Sequence, residues 1–268
     1  MIKELTWDSE LVKRKIGLLT IDAGNLSSLS KVLKQAGKEG FQYVICKLKS
    51  QNTEVIRALE SEGFYLTDIG ATFGINTAEF FARNKNRVFV KSPLPSSTSR
   101  RLTREGISQI SDLIAAATEQ DIPDLKKLVP SLFPESRFYN DPFYSKTEAD
   151  NLYRAWIENS VNGREADIVF YIPRIGFITC KKTGKRSGKI VLIGIRKGMR
   201  GKGYGSALLF RAMEWFAGQG TDVVTVRTQL KNLQGINFYL SFGFFVKEYD
   251  LMFGKMIKVK CEKAKTNN

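Results

Sequence analysis

The sequence predicts an α/β (α+β) protein with two lobes, and three observations support this fold class. Segments with the apolar spacing of strands alternate with segments that have the spacing of amphipathic helices along most of the 268 residues. Hydrophobic residues make up 43% and charged residues 26%, which is typical of a chain that folds around a core. The stretch 91–101 (KSPLPSSTSRR) lacks any apolar period and is typical of a linker. We therefore expect an N-terminal α/β lobe at 1–90 and a larger domain at 102–268.

In the N-terminal lobe, helices and strands are expected to alternate. An amphipathic helix near residues 26–37 precedes the apolar strand segment 41–49 (FQYVICKLK). The segment 53–63 (TEVIRALESEG) has helical spacing. The segment 64–75 (FYLTDIGATFGI) is rich in the aromatic and β-branched residues that favour strands.

The larger domain is expected to mix strands with longer helices. Asp121 and Pro123 are suited to the start of a helix, and Thr147 with Asp150 has the spacing of a capping box. Helices are expected at 147–161, 204–218 and 234–242. Strands are expected at 113–118, 168–172, 175–180, 189–195, 223–229 and 245–257.

The chain also contains an internal repeat at a shift of 180 residues. Without any gap, the shift pairs Gly40 with Gly220, Val44 with Val224, Asn52 with Asn232, Ile56 with Ile236, Gly63-Phe64 with Gly243-Phe244 and Phe73-Gly74 with Phe253-Gly254. Either the two strand–helix–strand units share one design, or both reuse glycine and phenylalanine at turns. One difference stands out, because Leu59 of the first unit corresponds to Tyr239 of the second.

Composition excludes several classes of protein. The chain has 42 lysines and arginines against 27 acidic residues, a net charge of +15 that indicates an anionic partner, and it has no histidine. Triads and metal sites that use histidine are therefore excluded. Cys46, Cys180 and Cys261 are far apart and odd in number, which fits a reduced cytoplasmic protein better than a disulfide framework or a zinc site. No apolar run is long enough to span a bilayer, and the first ten residues do not resemble a signal peptide.

A glycine-rich segment is the strongest functional signal. Arg200, Gly201, Lys202, Gly203, Tyr204, Gly205 and Ser206 stand between a strand segment and a helix segment. Glycines at such a junction let backbone amides approach an anion, and the helix N-terminus adds free N–H groups. A tight structural turn explains the glycines equally well. The spacing matches neither the Walker loop nor the Rossmann fingerprint.

Nine basic residues and no acidic residue lie between Lys181 and Lys202. Beside a glycine-rich loop, this run is expected to favour a ligand with several phosphates. A second signal follows, in which Asn232 comes after a strand, Tyr239 lies in the next helix, and Gly243-Phe244 close the unit. A tyrosine at such a place is either a core aromatic or a proton donor.

Together these two signals make residues 113–257 resemble the GNAT acetyltransferase family. Arg200, Gly203 and Gly205 match the family's Arg/Gln-x-x-Gly-x-Gly/Ala motif, and Asn232, Tyr239 and Gly243-Phe244 match its downstream element. The resemblance implies a mixed, mostly antiparallel central sheet flanked by helices, with a smaller N-terminal lobe like half a GNAT domain. It implies no metal and makes acetyl-CoA the co-substrate. Ile193 and Ile195 would pair with pantetheine, the amides of 202–206 would hold pyrophosphate, Asn232 would contact pantetheine or the thioester, and Tyr239 would protonate the departing thiolate.

Over nearly its whole length, the chain resembles a group of bacterial TDP-fucosamine acetyltransferases within that family. Trp7-Asp8-Ser9, SRFYNDPFY and TQLKN carry this resemblance, although Gly235 replaces a frequent alanine. It implies acetylation of a dTDP-linked 4-amino-4,6-dideoxyhexose, in cell-surface polysaccharide biosynthesis. The alternative is a family member that acts on another amine, such as a protein N-terminus, a lysine or a small molecule.

Several alternatives stay open at this point. A charge of +15 alone also permits nucleic-acid binding, but no signature of an RNA- or DNA-binding module supports it. A pseudo-enzyme is disfavoured because Tyr239 and the glycine loop are intact. The general base is Asp68, Glu135, Asp141 or water, and the aromatic loop 133–144 either stacks on a ligand or packs on the core. We expect no nucleic-acid or membrane partner, and a homodimer is left open.

Overall fold

The computed structural model describes residues 1–49, 52–85 and 110–258. The strands are β1 Ile2–Glu4, β2 Ile16–Leu19, β3 Tyr43–Leu48, β4 Tyr65–Asn76, β5 Ala115–Ala116, β6 Ile168–Ile172, β7 Gly176–Lys182, β8 Ser187–Ile195, β9 Val223–Gln229 and β10 Phe245–Met256. The helices are α1 Thr6–Val12, α2 Leu29–Lys38, α3 Thr53–Ser61, α4 Thr77–Asn84, α5 Ile122–Leu128, α6 Arg137–Asn140, α7 Lys146–Val161, α8 Tyr204–Gly218 and α9 Leu233–Ser241. The expected linker 91–101, and Cys261, lie outside the described residues.

The chain forms two compact units, each assembled from more than one stretch of sequence. Unit 1 contains Met1–Gly70, Arg137–Glu148 and Tyr249–Asn268, and unit 2 contains Ala71–Ser136 and Ala149–Glu248. β4 and β10 each contribute residues to both units. The domain boundaries expected at 90 and 102 lie outside the described residues.

In unit 1 the strand order is β1-β2-β3-β10-β4. β2 and β3 are parallel, whereas β1 pairs with β2 and β10 pairs with β3 in antiparallel fashion. Helices α2 and α3 cover this sheet with apolar faces, as their 3.6-residue spacing predicts. Leu33 of α2 and Leu59 of α3 are buried with Val44 and Cys46 of β3 in the core of this unit.

In unit 2 the strand order is β10-β4-β9-β8-β7-β6-β5. β5 to β8 are antiparallel neighbours, and β8 with β9 is parallel. This is the mixed, mostly antiparallel sheet that the resemblance to the GNAT family implies, so the expectation is confirmed. In the core of unit 2, Leu208, Ala212 and Phe216 of α8 are buried with Phe80 of α4 and Ile190 of β8.

The repeat at a shift of 180 residues is confirmed by the bounds of the elements. α3 moved by 180 residues covers the same positions as α9, and β4 covers the same positions as β10. The turns also correspond, because Gly40, Gly63, Gly220 and Gly243 all have positive φ, a backbone conformation that favours glycine. The last strands of the two repeats are exchanged. β10, which ends the second repeat, lies beside β3 of the first repeat, and β4, which ends the first repeat, lies beside β9 of the second.

Two local expectations were wrong. The capping box of α7 is formed by Ser145 and Glu148 instead of Thr147 and Asp150, because the Glu148 carboxylate accepts from the Ser145 amide at 2.7 Å. The strand expected at 113–118 is reduced to β5, because the Thr118 amide donates to Asp121 in the turn that leads to α5. Among the described helices, none has the length and apolar character needed to cross a bilayer.

Candidate functional site

The candidate site of unit 2 begins where β8 separates from β9. The two strands pair in parallel only from Ser187 to Ile190, although β8 continues for five more residues. The separation coincides with a β-bulge, because Thr179 of β7 lies opposite Leu192 whereas the next residue, Cys180, lies opposite Ile190. Val191 is therefore the extra residue. A bulge bends the strand that carries it, which accounts for the divergence from β9.

Thr179 holds this bulge with its side chain, a role that sequence reasoning missed. The residue is fully buried, and its Oγ1 accepts a hydrogen bond from the Leu192 amide at 2.9 Å. The hydroxyl therefore stands where a backbone carbonyl would accept in a regular ladder. The available signal was a polar residue within the apolar run IGFITC.

The backbone groups of Ile193 and Ile195 face away from β7. The Leu192 amide donates to Thr179, and the Arg196 amide donates to the Ile175 carbonyl at 2.8 Å, so these two amides face β7. Because backbone groups alternate along an extended strand, those of Ile193 and Ile195 lie on the opposite side. Among the described strands, none pairs with β8 on that side beyond Ile190. An extended ligand arm can therefore hydrogen-bond this edge.

The glycine loop leads from the end of β8 into α8. Gly201 and Gly203 have φ angles of 74° and 86°, and Gly203 is the N-cap residue of α8. Tyr204, Gly205 and Ser206 form the first turn of this 15-residue helix, in which backbone N–H groups have no partner within the helix. No side chain of the described residues caps these amides. The helix dipole adds partial positive charge at the same place, so the loop suits a phosphate group.

The basic run from Lys181 to Lys202 divides between the two ends of β8. Lys181, Lys182, Lys185, Arg186 and Lys189 lie in or near the β7–β8 hairpin, whereas Arg196, Lys197, Arg200 and Lys202 lie around the glycine loop. The nine residues of β8 span roughly 30 Å at about 3.3 Å per residue. Only the second group lies near the loop, and the association of the run with a phosphate ligand stays a prediction. In the hairpin, Arg186 forms an ion pair with Asp222.

Tyr239 has a packed ring and an unengaged hydroxyl. The side chain is buried among aromatic rings, with centroids 5.9 Å from Phe73, 5.5 Å from Phe238 and 5.7 Å from Phe244. Burial raises its pKa above the ordinary tyrosine value, and neither a neighbouring charge nor a hydrogen bond offsets that effect. Within the described part of the chain, no group hydrogen-bonds its hydroxyl. The phenol is therefore neutral at physiological pH.

Asn232 is the N-cap of α9, the helix that carries Tyr239. Its Oδ1 accepts from the Gly235 amide at 3.0 Å, and its Nδ2 donates to Thr228 Oγ1 at 2.9 Å. A Cβ at position 235 would lie 2.5 Å from Asn232 Nδ2, so the glycine gives the cap room. Asn52 caps α3 in the same way in the first repeat. The second Nδ2 hydrogen of Asn232 remains available to a ligand.

The carboxylates considered as bases have different environments. In unit 1 the buried Asp141 accepts from the hydroxyls of Tyr43 and Tyr65 and from the Phe143 amide. Burial, together with this carboxylate, raises the pKa of Tyr65 to about 12. Asp68, also in unit 1, is buried, whereas Glu135 in unit 2 is exposed. Asp141 is thus committed to a hydrogen-bond network.

The aromatic residues of the loop 133–144 pack against other side chains of the protein. In unit 1, Phe143 stacks on Tyr43 with ring centroids 4.0 Å apart, and Arg14 lies 3.9 Å above the same ring. Phe138 and Tyr144 are buried beside them. In unit 2, Phe133 stacks on Tyr153 at 4.7 Å. These rings are used in packing, which favours the core interpretation over stacking on a ligand.

The geometry of unit 2 agrees with comparisons to known proteins. Residues 127–244 match the model of the acetyltransferase (GNAT) family. Over 144 residues, the chain is 29% identical to dTDP-fucosamine acetyltransferase of Escherichia coli O6:H1, a match that covers 51% of this chain and 61% of that one. Over 130 residues, it is 27% identical to the spore coat polysaccharide biosynthesis protein SpsD of Bacillus subtilis, covering 48% of this chain and 45% of that one.

A solved structure shows the same fold. A GCN5-related N-acetyltransferase from Sphaerobacter thermophilus matches with a TM-score of 0.59 and 16% identity, covering 96% of this chain and 76% of that one. The chain therefore has a GNAT fold, and residues 127–244 belong to an acetyltransferase (GNAT) domain. The chain spans about half to three fifths of the length of the two curated relatives.

Proposed function

We propose that this protein is an acetyl-CoA-dependent N-acetyltransferase that acts on the amino group of a nucleotide-linked amino sugar. One observation carries the proposal: the separation of β8 from β9 exposes a strand edge beside a glycine loop with free amides. A strand edge suits the amide-containing pantetheine arm, and the loop suits the pyrophosphate. The two features adjoin along the chain, in the order in which acetyl-CoA carries these groups.

The donor is held mainly by backbone groups. Ile193 and Ile195 pair with pantetheine, and the amides of 202–206 hold the pyrophosphate. Arg200, Gly201, Lys202, Gly203, Tyr204, Gly205 and Ser206 together form this loop, and Asn232 contacts the pantetheine or thioester region with its remaining N–H. No metal is required by this arrangement. Among the described residues, no cluster of histidine, cysteine and carboxylate side chains is suited to a metal ion.

Transfer proceeds by direct attack of the acceptor amine on the thioester carbonyl. The new C–N bond forms, the attacking nitrogen gives up its extra proton to water, the C–S bond breaks, and the departing thiolate takes the proton of the Tyr239 hydroxyl. A neutral phenol with a pKa at or above about 10 can supply that proton and later regain one from water. The acceptor ammonium must first lose a proton. Asp141 already accepts three hydrogen bonds, so Asp68, Glu135 or a chain of waters is proposed for this step.

The acceptor class rests on the relatives and on charge. The name of the first relative specifies dTDP-fucosamine, and the second relative belongs to polysaccharide biosynthesis. A dTDP-linked 4-amino-4,6-dideoxyhexose is anionic, as is acetyl-CoA, and both suit a chain with a net charge of +15. The same charge disfavours a polycationic amine. A cytoplasmic location and the absence of nucleic-acid and membrane partners belong to the same proposal, and a homodimer remains a prediction.

The first repeat is proposed to bind no acetyl-CoA. Leu59 occupies the position of Tyr239, and Asp22 occupies the position of Lys202. The Asp22 carboxylate accepts from the Gly24 amide at 2.9 Å, so an internal anion occupies the turn before α2. The first repeat is proposed to extend the sheet or to shape the acceptor site.

Acetyl transfer to a panel of amines tests the proposed function. The purified protein is given acetyl-CoA with dTDP- and UDP-linked 4-amino sugars, peptides with free N-termini, lysine peptides and small-molecule amines. Thiol release and the mass of each acceptor are measured. Acetylation of an amino-sugar nucleotide with a kcat/KM at least a hundredfold above the other amines is expected. Preference for a peptide or a free amine would favour the alternative acceptor, and no thiol release with any acceptor would contradict acetyl transfer.

A further inference from the structure

We infer that Arg200 is a positioning residue, whose side chain holds three segments of unit 2 together instead of binding phosphate. Its Nε donates to the Ile195 carbonyl at 2.9 Å, Nη1 donates to Gln234 Oε1 at 3.1 Å, and Nη2 donates to the Leu132 carbonyl at 3.2 Å. The acceptors belong to the end of β8, the first turn of α9 and the segment after Val129–Ser131. This inference rests on the proposed function and assigns a role within its site.

The chemistry of the side chain explains why one residue can do this. A guanidinium is planar and presents five N–H donors in fixed directions, so it can bind acceptors on different sides at the same time. The Ile195 carbonyl lies on the edge of β8 that faces away from β7. Arg200 therefore gives a partner to a carbonyl that the separated strand β9 no longer reaches.

Packing around the arginine shows that these segments meet closely. A Cβ built on Gly194 would lie 2.8 Å from Leu132 and 3.1 Å from Phe133, so the segment after Val129–Ser131 presses on β8. A Cβ on Gly205 would lie 3.6 Å from both Ile195 and Phe238, which brings the first turn of α8 and helix α9 to the same place. Arg200 lies among four segments that form or border the candidate site.

Arg200 therefore couples the position of the thioester to the position of the proposed proton donor. The arginine fixes the carbonyl of Ile195, which lies on the edge proposed to pair with pantetheine. It also fixes the first turn of α9, five residues before Tyr239. Loss of the guanidinium is expected to misplace the thioester relative to the proton donor. Such a loss lowers kcat with any donor, whereas loss of a phosphate contact weakens binding only of donors that carry phosphate.

The test compares acetyl-CoA with S-acetyl-pantetheine, a donor without pyrophosphate or nucleotide. Arg200→Gln is expected to lower kcat about tenfold or more with both donors, because a misplaced thioester affects each of them. Arg200→Lys is expected to behave like Arg200→Gln, because lysine keeps the positive charge but lacks the planar set of N–H donors of the guanidinium. A loss confined to acetyl-CoA, a near wild-type Arg200→Lys, or no loss in any variant would each overturn the inference.

Gln234→Ala is the matched milder variant, because it removes one of the three acceptors and leaves the guanidinium in place. It is expected to lower kcat a few-fold with both donors, and its effect should vanish in the Arg200→Gln background. An equal effect in both backgrounds would contradict the coupling. If Arg200→Gln does not fold, Gln234→Ala alone tests the inference, because a loss confined to acetyl-CoA or no loss of kcat would overturn it.

Hydrogen exchange separates failure of this inference from failure of the proposed function. In the protein without donor, Arg200→Gln should speed exchange of amides in 193–200 and in the first turn of α9, while β6 keeps its protection. Unchanged exchange in those segments would overturn the inference whether or not the protein transfers acetyl groups. If the wild type transfers from neither donor while exchange responds as expected, the proposed function fails and the positioning role stands.

Discussion

Replacement of Tyr239 by phenylalanine is the sharpest perturbation that the site offers. The ring packs against Phe73, Phe238 and Phe244, and phenylalanine keeps all of these contacts. The hydroxyl makes no hydrogen bond to any described residue, so its removal leaves no partner unsatisfied. The free energy of unfolding is therefore expected to change by less than about 1 kcal/mol. The variant therefore removes the proposed proton donor and changes little else in the structure.

The expected loss of activity follows from the role of the proton. General acid catalysis is worth about 10²–10⁴-fold, so kcat of Tyr239→Phe should fall by that factor. This corresponds to roughly 2.7–5.4 kcal/mol of activation free energy at about 1.36 kcal/mol per tenfold. Affinity for CoA should stay within a few-fold, because the backbone groups proposed to bind the donor lie on β8 and the glycine loop. The loss should shrink when the donor carries a more acidic thiol, since its thiolate needs less protonation.

The pH dependence gives an independent check. Only the protonated phenol can donate, and burial raises the pKa of Tyr239 above the ordinary value of 10.0. Its contribution is therefore complete at neutral pH and is lost only as pH rises through the elevated pKa. Below about pH 10, kcat of the wild type should therefore depend on pH in the same way as kcat of Tyr239→Phe.

The assay measures kcat, CoA affinity and melting temperature on the same preparations. Tyr153→Phe is a matched control, since it removes a phenol of unit 2 whose ring stacks on Phe133. That variant should retain turnover per folded molecule. A fully active Tyr239→Phe protein, or one that is merely unstable, would refute the general-acid role and leave water as the proton source.

Other perturbations have equally definite outcomes. Gly203→Val places a β-branched residue at a positive φ and should abolish stabilisation by CoA, which is about 2.7 kcal/mol at 100 times the dissociation constant. Gly218→Ala at the end of α8 should keep this stabilisation. Equal stabilisation of both variants in a thermal-shift assay would contradict phosphate binding by the glycine loop. Thr179→Val leaves the Leu192 amide without its acceptor and should weaken CoA binding about tenfold, whereas Thr179→Ser should restore the affinity. The affinities are measured by calorimetric titration. A lower melting temperature with unchanged affinity would show that the hydrogen bond at the bulge serves stability alone. Asp141→Asn should cost about 2–3 kcal/mol in urea unfolding, because two phenols lose a charged acceptor; a loss below 0.5 kcal/mol would contradict the network.

Much of the fold could be predicted because local spacing determines it. Helix α8 and strands β6 and β9 have the bounds that the apolar period predicts. The repeat could be predicted because its turns have positive φ, which favours glycine, so glycines occur at corresponding positions of both repeats. The exchange of β4 and β10 could not be predicted. Both strands have the same pattern, so either fits beside β3 or β9, and tertiary packing decides.

The candidate site was less accessible to sequence reasoning. A one-residue bulge at Val191 changes no apolar period, so the separation of β8 from β9 left no signal. An asparagine before a helix fits a cap as well as a ligand contact, and Asn232 is a cap in the structure. The carbonyl of Leu132 that Arg200 binds lies 68 residues away, and backbone acceptors carry no sequence signature. Residue types indicated the chemistry, but distant backbone groups set the geometry.

The central claim is that acetyl-CoA binds along the edge of β8 and on the glycine loop. Hydrogen exchange measured with and without acetyl-CoA tests it most directly, because backbone amides are the proposed donors. Amides of 193–195 and 202–206 should gain protection, while the corresponding turn of the first repeat at 22–26 should not change. Protection confined to the first repeat, or none in 193–206 at saturating acetyl-CoA, would contradict the account.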